Sequence, residues 1–444
     1  MAIVMKLADD INAGVRATLA AGDDLFIAAG VTVSRTDATL AAHRVIAGVE
    51  SNHDLEILGT VISQGGVVQL GDDIADSNNR VHVGETGYLN SLHSGGSTFS
   101  ITGTSNYFEN DGEVRSNNIA ISMNTSASTS GFNEIVNSGT LHGKLTAISI
   151  VGGEETVSVT NTGKIVAGTA YLGGAGSDFI GNFGTISGHL LLGAGTDGYD
   201  GSKGRHDGLV DAGTGDDLLI GGVDDDTFNG GEGADTMRAG GGSDSYSVDN
   251  AGDIVFEATN QGIDQVAATI SYTLTANIED LALFGSGKNG TGNTLANSIA
   301  GNNLANMLAG LAGNDTLGGG DGNDKLIGGL GKDTLTGDNQ ADRFIFNAVT
   351  ESRAAGGIDK IMDFSRAQLD KIQLNLIDAD TTKAGNQAFK FIGAKAFSGA
   401  AGELRFQKIG TDSHIQADVN GDGKIDFTVI SDVAVTFVKG DFIL

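Results

Sequence analysis

Aspartate and asparagine residues recur at nine-residue intervals in the second half of the chain, each within a glycine-rich turn. They fill position six of a nonapeptide G-G-x-G-x-D-x-U-x, in which U is a large apolar residue. In the first block this position holds Asp217, Asp226, Asp235 and Asp244, and in the second block it holds Asn297, Asn306, Asp315, Asp324, Asp333 and Asp342. Position eight is apolar in all ten copies, from Leu219 to Phe344. Ten copies in one phase indicate a repeat architecture in which each unit packs on its neighbours.

The residue types of this nonapeptide are those that bind calcium. Ca²⁺ takes roughly six to eight oxygen ligands from carboxylates and carbonyl groups. Glycine permits the positive φ angles at which a tight turn directs its carbonyl oxygens inward, and Asp adds a charged oxygen beside them. The glycines predicted to build these turns are Gly213, Gly215, Gly222, Gly231, Gly233, Gly313, Gly320, Gly322, Gly329 and Gly331. The sequence therefore predicts Ca²⁺ as the cofactor, held by turn carbonyls and the position-six side chains.

Two nonapeptides make one coil, so turns eighteen residues apart are expected to stack with calcium between them. The predicted pairs are Asp217 with Asp235, Asp226 with Asp244, Asp315 with Asp333, Asp324 with Asp342, Asn297 with Asp315, and Asn306 with Asp324. The two pairs that contain Asn carry one charge fewer and are expected to bind more weakly. Alternatively, each Asp only caps its turn by accepting hydrogen bonds from backbone amides. A column of uncompensated carboxylates would repel strongly, which favours the calcium sites.

The N-terminal region contains a second, looser repeat of the form Asn-x-Gly-x-(Val/Ile/Leu). Clear copies begin at Asn137, Asn161 and Asn182, weaker ones centre on Gly30, Gly59, Gly87, Gly112 and Gly208, and a lone nonapeptide copy begins at Gly173. Repeats of this length joined by short alternating strands predict a parallel β-helix. The asparagines are expected to support αL or Asx turns. A β-sandwich with coincidental turn spacing is the alternative.

Composition restricts the partners of the chain. The formal net charge of −30 argues against nucleic acid, which requires a basic footprint, and against a close anionic lipid surface. No apolar run approaches the roughly 18 residues of a membrane-spanning helix. The absence of cysteine excludes disulfides and thiolate metal sites. An acidic chain without Pro, Cys or Trp is consistent with stacked small and β-branched residues in a solenoid.

Residues 208–346 resemble the RTX repeat region of serralysin-type and related bacterial exported proteins. The tail is similar to the serralysin C-terminal domain through Ala388-Phe389-Lys-Phe391-Ile392-Gly393 and Asp418-Val-Asn420-Gly-Asp422-Gly423. The resemblance implies export by a type I ABC secretion apparatus, with an uncleaved signal that ends in Asp441-Phe442-Ile443-Leu444. It implies a secreted protein, extracellular or at the cell surface. The family's zinc protease activity does not carry over, because the chain has no H-E-x-x-H motif.

One segment of the tail also matches part of an EF-hand loop. Asp418, Asn420, Asp422 and Asp426 fall at positions one, three, five and nine of such a loop, and Gly423 falls at the sharp turn. Val429 stands where the loop requires a bidentate Glu. Both a bound ion and a simple polar turn between strands are compatible with this pattern.

The predicted fold is all-β, with a right-handed parallel β-helix followed by an RTX parallel β-roll and a β-rich C-terminal domain. The expected division is a β-helix at 1–207, a first roll block at 208–255, spacer strands at 256–290, a second roll block at 291–346, and a serralysin-like secretion domain at 347–444.

The leading functional hypothesis is a non-catalytic extracellular structural protein, such as an S-layer, filament or matrix component, that calcium folds after export. Its expected partners are further copies of the chain and the secretion apparatus. No nucleophile elbow or phosphate loop stands out. The alternatives are a β-helix enzyme acting on extracellular polysaccharide, as a lyase or epimerase, and an adhesin or host-directed calcium-binding effector. Cell-surface polysaccharide is a further candidate partner.

Overall fold

The computed structural model describes residues 2–3, 10–11, 17–35, 44–72, 76–125 and 131–444. Over these residues the chain is built from strands, with one 3-10 turn at Lys439–Asp441. No helix among them is long and apolar enough to cross a membrane. The chain divides into two compact units: Met1–Tyr246 with Gly252–Val255, and Ser247–Ala251 with Phe256–Leu444.

The first unit is a parallel β-helix, and one of its sheets is called face A here. Among the described residues face A has twelve strands: Ala2–Ile3, Asp24–Ile27, Asp54–Ile57, Arg80–Val83, Tyr107–Asn110, Phe132–Asn137, Thr156–Asn161, Asp178–Asn182, Gly198–Asp200, Leu218–Ile220, Thr236–Arg238 and Ile254–Val255. Neighbouring strands pair in parallel, as in Arg80↔Tyr107 and Tyr107↔Glu134. This pairing rules out the β-sandwich alternative.

Two further faces complete the coils of the β-helix. Face B follows the glycine turn and contains Asp10–Ile11, Thr32–Arg35, Thr60–Ser63, Tyr88–Ser91, Glu113–Ser116, Thr140–Gly143, Lys164–Leu172, Thr185–Ala194 and Arg205–Asp207. Face C contains Ala17–Leu19, Ile46–Gly48, Val68–Leu70, Ser97–Thr102, Ile119–Asn124, Thr146–Val151, Leu209–Thr214 and Thr227–Glu232. The long strands Lys164–Leu172 and Thr185–Ala194 belong to both faces, because each of them pairs with strands of face B and of face C.

The coils shorten along the first unit. Register partners on face A are 27 residues apart at Tyr107 and Glu134, 21 apart at Ser158 and Phe179, and 18 apart at Leu218 and Thr236. A coil of 18 residues has room for two strands and two turns. The three-sided β-helix therefore becomes a two-sided roll within one unit.

Apolar side chains stack inside this solenoid in straight rows. The position-eight residues Ile180, Tyr199, Leu219, Met237 and Val255 are register partners on face A, and each is at most 3% exposed. Alternation along each short strand places these side chains inward and their neighbours outward. Each coil contributes one such residue at the same register position, and together these residues form a continuous apolar core.

The asparagines of the N-terminal repeat form a buried ladder, and Asn182 also makes the expected Asx turn, because its Oδ1 accepts from the amide of Gly184 at 3.2 Å. The Nδ2 atoms of Asn110 and Asn137 donate to Oδ1 of the next Asn at 2.7 Å, and that of Asn161 donates to Asn182 at 2.8 Å. These four residues are absent from the positive-φ positions of the chain. A buried amide can donate to the next coil and accept from the previous one, so stacking satisfies Asn137 and Asn161, while Oδ1 of Asn110 has no partner.

The glycines of this repeat stack because no Cβ fits between coils. A Cβ at Gly139 would lie 2.1 Å from the carbonyl oxygen of Gly112. Two of the weaker copies were placed wrongly, at Gly30 and Gly208. Arg205 pairs with Thr185, so Gly204 is the residue beneath Gly184, while Gly208 packs on Gly188. Thr60 pairs with Thr32, so Val31, and not Gly30, lies in line with Gly59. Coils of unequal length shift the register, which a search for evenly spaced glycines does not detect.

The second unit is a roll with two parallel sheets and a C-terminal hairpin. One sheet contains Gln265–Ala268, Asp280–Leu283, Ser298–Ala300, Thr316–Gly318, Thr334–Thr336, Asp359–Ile361 and Phe427–Ser431. The other contains Tyr272–Thr273, Asn289–Thr291, Met307–Ala312, Lys325–Leu330, Arg343–Ile345, Lys371–Gln373 and Phe442–Ile443. Glu403–Ile409, Asp412–Asp418 and Phe427–Ser431 pair in antiparallel fashion, and Lys390–Phe391 adds to Glu403–Ile409. The remaining strand is Ser245–Val248.

Candidate metal sites

The position-six side chains of the first unit form two columns. In the Asp217 column (Asp217, Asp235 and Asp253), the amide of Asp217 donates to Oδ1 of Asp235 at 2.9 Å, and that of Asp235 donates to Oδ1 of Asp253 at 3.1 Å. In the Asp226 column (Asp226 and Asp244), the amide of Asp226 donates to Oδ1 of Asp244 at 2.8 Å. Residues eighteen positions apart therefore stack, as the repeat period predicts.

The second unit has two equivalent columns. In the Asn297 column (Asn297, Asp315, Asp333 and Asp359), each backbone amide donates to Oδ1 of the next member at 2.8 to 2.9 Å. In the Asn306 column (Asn306, Asp324, Asp342 and Asp370), the corresponding distances are 2.7 to 3.1 Å. All six predicted pairs are thus neighbours in space. Their role as calcium ligands stays a prediction.

The second oxygen of many of these carboxylates has no partner. Oδ2 is buried and accepts no hydrogen bond in Asp217, Asp315, Asp324, Asp333, Asp342 and Asp359. These side chains are at most 3% exposed. An ionised carboxylate is strongly unfavourable in such a place unless a cation or a proton compensates it. The capping interpretation explains the bonded oxygen alone, whereas a hard cation also accounts for the other. The residues present therefore fit calcium.

The glycines of the turns have the predicted backbone, with one exception. Positive φ angles between 85° and 144° occur at Gly213, Gly215, Gly231, Gly233, Gly313, Gly320, Gly322, Gly329 and Gly331. Gly222 is absent from the positive-φ positions, and its amide donates to Oδ2 of Asp226 at 3.0 Å. Oδ2 of Asp226 therefore accepts a hydrogen bond from its own turn, which departs from the arrangement in which this oxygen has no partner.

Burial raises the pKa of the stacked carboxyl groups in the absence of a cation. It raises the pKa of Asp226, Asp315 and Asp324 to about 6 and that of Asp342 to about 7. The pKa of Asp359 rises to about 8, from burial and then from the charge of Asp333. The calcium-free columns therefore hold protons at a pH where free Asp is ionised.

The two asparagines at the start of the second-unit columns are satisfied without a cation. Oδ1 of Asn297 accepts from the amide of Asn293 at 2.7 Å, and its Nδ2 donates to the carbonyls of Ile278 and Glu279 at 3.1 Å. Asn306 makes the same set of bonds, with the amide of Asn302 as the donor. This saturation agrees with the expectation that the Asn pairs bind calcium more weakly.

Sequence reasoning missed the last member of three columns. Asp253 continues the nine-residue interval but lies in a stretch poor in glycine. Asp359 and Asp370 follow their partners by 26 and 28 residues, because a loop is inserted after the last nonapeptide. No periodic signal marks these two positions.

The EF-hand-like segment is a hairpin turn between Asp412–Asp418 and Phe427–Ser431. Both oxygens of Asp418 accept amide hydrogen bonds, from Gly421 and Gly423. Asn420 accepts from the amide of Asp422, and Asp426 accepts from the amide of Val419 at 2.9 Å. These contacts are those of a polar turn. Ion binding by Asp418, Asn420, Asp422 and Asp426 stays a prediction.

A separate polar cluster lies on the outer surface of face A. Nδ1 of His82 contacts Oε2 of Glu56 at 3.1 Å, and its Nε2 contacts Oδ2 of Asp111 at 3.0 Å. Partial burial lowers the pKa of His82, but the bonds to Asp111 and Glu56 outweigh it, so the net pKa is raised. His82 therefore bridges two carboxylates of neighbouring coils, which favour its protonated form.

Comparison with known proteins gives matches in the region of the columns. Residues 297–444 match the family described as Peptidase M10 serralysin C terminal, and residues 211–246 match the RTX calcium-binding nonapeptide repeat in four copies. No curated protein matches the chain. Among solved structures, the chain is similar to the solution structure of the AlgE6R3 subunit from the Azotobacter vinelandii mannuronan C5-epimerase. That similarity has 25% identity and a TM-score of 0.25, and it covers 34% of this chain and 78% of that one.

Proposed function

We propose that this chain, a secreted protein with RTX calcium-binding repeats and a serralysin-type C-terminal region, is a non-catalytic structural protein that assembles outside the cell. Calcium folds its repeats after type I export, and the folded solenoid then associates with further copies. An S-layer, a filament or a matrix are the forms that such an assembly takes.

Calcium-dependent folding is supported by the buried carboxylate oxygens that have no hydrogen-bond partner. In the second unit they belong to Asp315, Asp324, Asp333, Asp342 and Asp359. Because the unfolded chain exposes these groups to water, their charge opposes folding until a cation enters the columns. When a calcium site exists only in the folded state, the free energy of calcium binding adds to the stability of that state.

An apolar strip on face A supports the second step. Phe179, Leu218 and Ile254 lie in one outward register row, with Thr236 between the last two, and are 49%, 46% and 56% exposed. Gly198 lies between the first two and leaves a shallow apolar groove there. Exposed apolar rows on a soluble protein indicate a contact surface. A second copy of this chain is the proposed occupant, because calcium also reduces the charge of −30 that keeps copies apart.

The outer surface of face A also supports a second candidate function, the binding of polysaccharide. Nearer the N-terminus, face A presents Glu56, His82, Tyr107, Glu109 and Asp111 on neighbouring coils. Carboxylates and an aromatic ring on one β-helix face favour polysaccharide as a ligand. A general base, however, needs a free lone pair, and both ring nitrogens of His82 contact carboxylates. This surface therefore favours glycan binding, as in an adhesin, over catalysis.

The test is a calcium titration of the purified protein, followed by light scattering and electron microscopy. Ordered multimers are expected above a threshold calcium concentration and should dissolve in chelator. The double variant Phe179→Ser with Leu218→Ser should raise that threshold while circular dichroism of the calcium-bound protein stays unchanged. Val223→Ser is the matched control, since Val223 is 80% exposed in a turn of the same unit.

A monodisperse monomer at millimolar calcium and high protein concentration would contradict the structural role. In that case a screen of the calcium-bound protein against extracellular polysaccharides becomes the next measurement. Binding that is lost in His82→Ala would then favour the adhesin, and formation of new products would favour the enzyme.

A further inference from the structure

Two turns of the β-helix carry the nonapeptide signature before the region that matches the repeat family begins at residue 211. The first is Gly173-Gly174-Ala-Gly176-Ser-Asp178-Phe-Ile180, and the second is Leu192-Gly193-Ala-Gly195-Thr-Asp197-Gly-Tyr199. The second keeps glycine at positions two and four, aspartate at position six and an apolar residue at position eight. It escapes a nine-residue search because its coil is longer, with Asp197 and Asp217 20 residues apart.

The backbone of the second turn is that of a regular nonapeptide turn. The φ angles of Gly193 and Gly195 are 109° and 140°, beside 101° and 132° at Gly213 and Gly215. A Cβ at Gly213 would meet the carbonyl oxygen of Gly193 at 1.9 Å, and one at Gly231 would meet that of Gly213 at 2.1 Å. The turns of three consecutive coils therefore stack in the same way.

The hydrogen bonds between coils repeat in the same manner. The amide of Gly195 donates to the carbonyl of Thr214 at 2.9 Å, as that of Gly215 donates to Glu232 at 2.7 Å. The amide of Asp178 donates to Oδ1 of Asp197, and the amide of Asp197 donates to Oδ1 of Asp217, both at 2.7 Å. The hydrogen bonds of the Asp217 column thus continue through two further coils, although Gly174 and Gly176 of the first turn are absent from the positive-φ positions.

The added carboxylates show the same unsatisfied oxygen as the regular columns. Oδ2 of Asp178 and Oδ2 of Asp197 are buried without a hydrogen-bond partner, and both residues are 1% exposed. The hydroxyl of Tyr171 is buried beside Asp178 and interacts with that carboxyl group. Two buried carboxylates so placed would be strongly unfavourable without a proton or a cation between them.

We propose that Asp178, Asp197 and Asp217 hold calcium between turns 173–178, 193–197 and 213–217, so that the cation column extends into the β-helix. The ligands are these carboxylates and the carbonyl oxygens of the turns. The inference rests on the proposed calcium-dependent folding and adds at least one ion, in a part of the chain outside the matched repeats. This extension joins the β-helix and the roll of the first unit into one calcium-bound solenoid.

The opposite edge of the same coils serves as an internal comparison. Leu209 pairs with Thr227, so Gly208 stands in line with Asp226 as Asp197 stands in line with Asp217. Gly208 has no side chain and adds no carboxylate oxygen, so the proposed extension is confined to one edge.

The first test is the number of calcium ions bound by the full-length protein, measured by titration calorimetry and by equilibrium dialysis. Asp197→Asn is expected to bind at least one ion fewer than the parent and to retain calcium-induced folding of the remaining repeats. Asp200→Asn is the matched control, because Asp200 is exposed on the outside of the same coil. An equal stoichiometry in parent and Asp197→Asn overturns the extension and leaves the proposed function intact. A parent that binds no calcium overturns both.

A second measurement covers the case in which Asp197→Asn does not fold. Terbium(III) occupies oxygen-rich calcium sites and emits when a nearby tyrosine is excited. Tyr171 is buried beside Asp178. Tyr171→Phe should therefore lower the sensitised emission of the terbium-loaded protein, while Tyr88→Phe, on face B away from the column, should not. Unchanged emission in Tyr171→Phe overturns a site at Asp178.

Discussion

Acidification should replace calcium in folding the second unit. In the calcium-free fold the pKa is about 6 for Asp315 and Asp324, about 7 for Asp342 and about 8 for Asp359, in each case chiefly because the carboxyl group is buried. In the unfolded chain these groups titrate near 3.8. Between these values the folded state holds protons that the unfolded chain has released. The free energy of unfolding therefore falls as the pH rises from about 4 through about 8.

The magnitude is comparable with the whole stability of a domain. One pKa unit corresponds to about 1.4 kcal/mol, so the shift at Asp359 alone amounts to about 6 kcal/mol and that at Asp315 to about 3 kcal/mol before screening. Halving the four contributions for water penetration and screening still leaves about 8 kcal/mol. Typical domains have a stability of about 5–15 kcal/mol. Without calcium the columns should therefore be largely unfolded at pH 8 and folded near pH 5.5.

The assay is far-ultraviolet circular dichroism of protein dialysed against chelator and then into calcium-free buffers at pH 8 and pH 5.5. Both values stay above the isoelectric point of about 4.3, which limits precipitation. The expected result is weak β-signal at pH 8 and recovery of the calcium-bound spectrum at pH 5.5. The double variant Asp342→Asn with Asp359→Asn carries less charge in the columns and should keep more β-structure at pH 8. No recovery at pH 5.5, in protein that calcium folds at pH 8, would refute the reasoning.

Four further predictions concern single positions and export. Leu311 has φ 78° at the position that Gly320 and Gly329 occupy in the next two nonapeptide copies, so Leu311→Gly should stabilise the calcium-bound protein by about 1 kcal/mol. Gly329→Ala should destabilise it, because a Cβ there would meet the carbonyl of Leu311 at 2.1 Å. Thermal unfolding measures both variants. A lower melting temperature for Leu311→Gly than for Gly329→Ala would contradict the backbone argument. Asp324→Asn should raise the calcium midpoint about tenfold or more, since it removes charge from two stacked pairs, with exposed Asp321→Asn as the calorimetric control. Deletion of residues 385–444 should keep the protein inside the producing cell on immunoblots; its efficient secretion would contradict type I export.

Regular intervals made most of the architecture predictable from the sequence. The nine-residue interval was sufficient to predict the roll, its apolar rows and the stacking of Asp315 on Asp333, because equal coils keep every register in phase. The predictions failed where coils differ in length. Asp359 lies 26 residues beyond Asp333, and Asp197 lies 20 residues before Asp217, although both pairs stack. A search at nine-residue intervals cannot detect Asp359 or Asp197. Only the strand register of the structure shows that the chain returns to the same column after a longer loop.

One register line of the first unit changes from amides to carboxylates as the coils shorten. Nδ2 of Asn79 donates to Oδ1 of Asn106, and Nδ2 of Asn106 donates to Oδ1 of Asn133, both at 3.1 Å. Each amide donates and accepts, so this part of the line is complete without any ligand. Further along the same line, Asp178 and Asp197 offer only acceptors when ionised, so they require a proton or a cation. The asparagine-lined coils are thus the part that can fold at low calcium. The acidic coils can then add to that folded end, coil by coil, once calcium is present outside the cell.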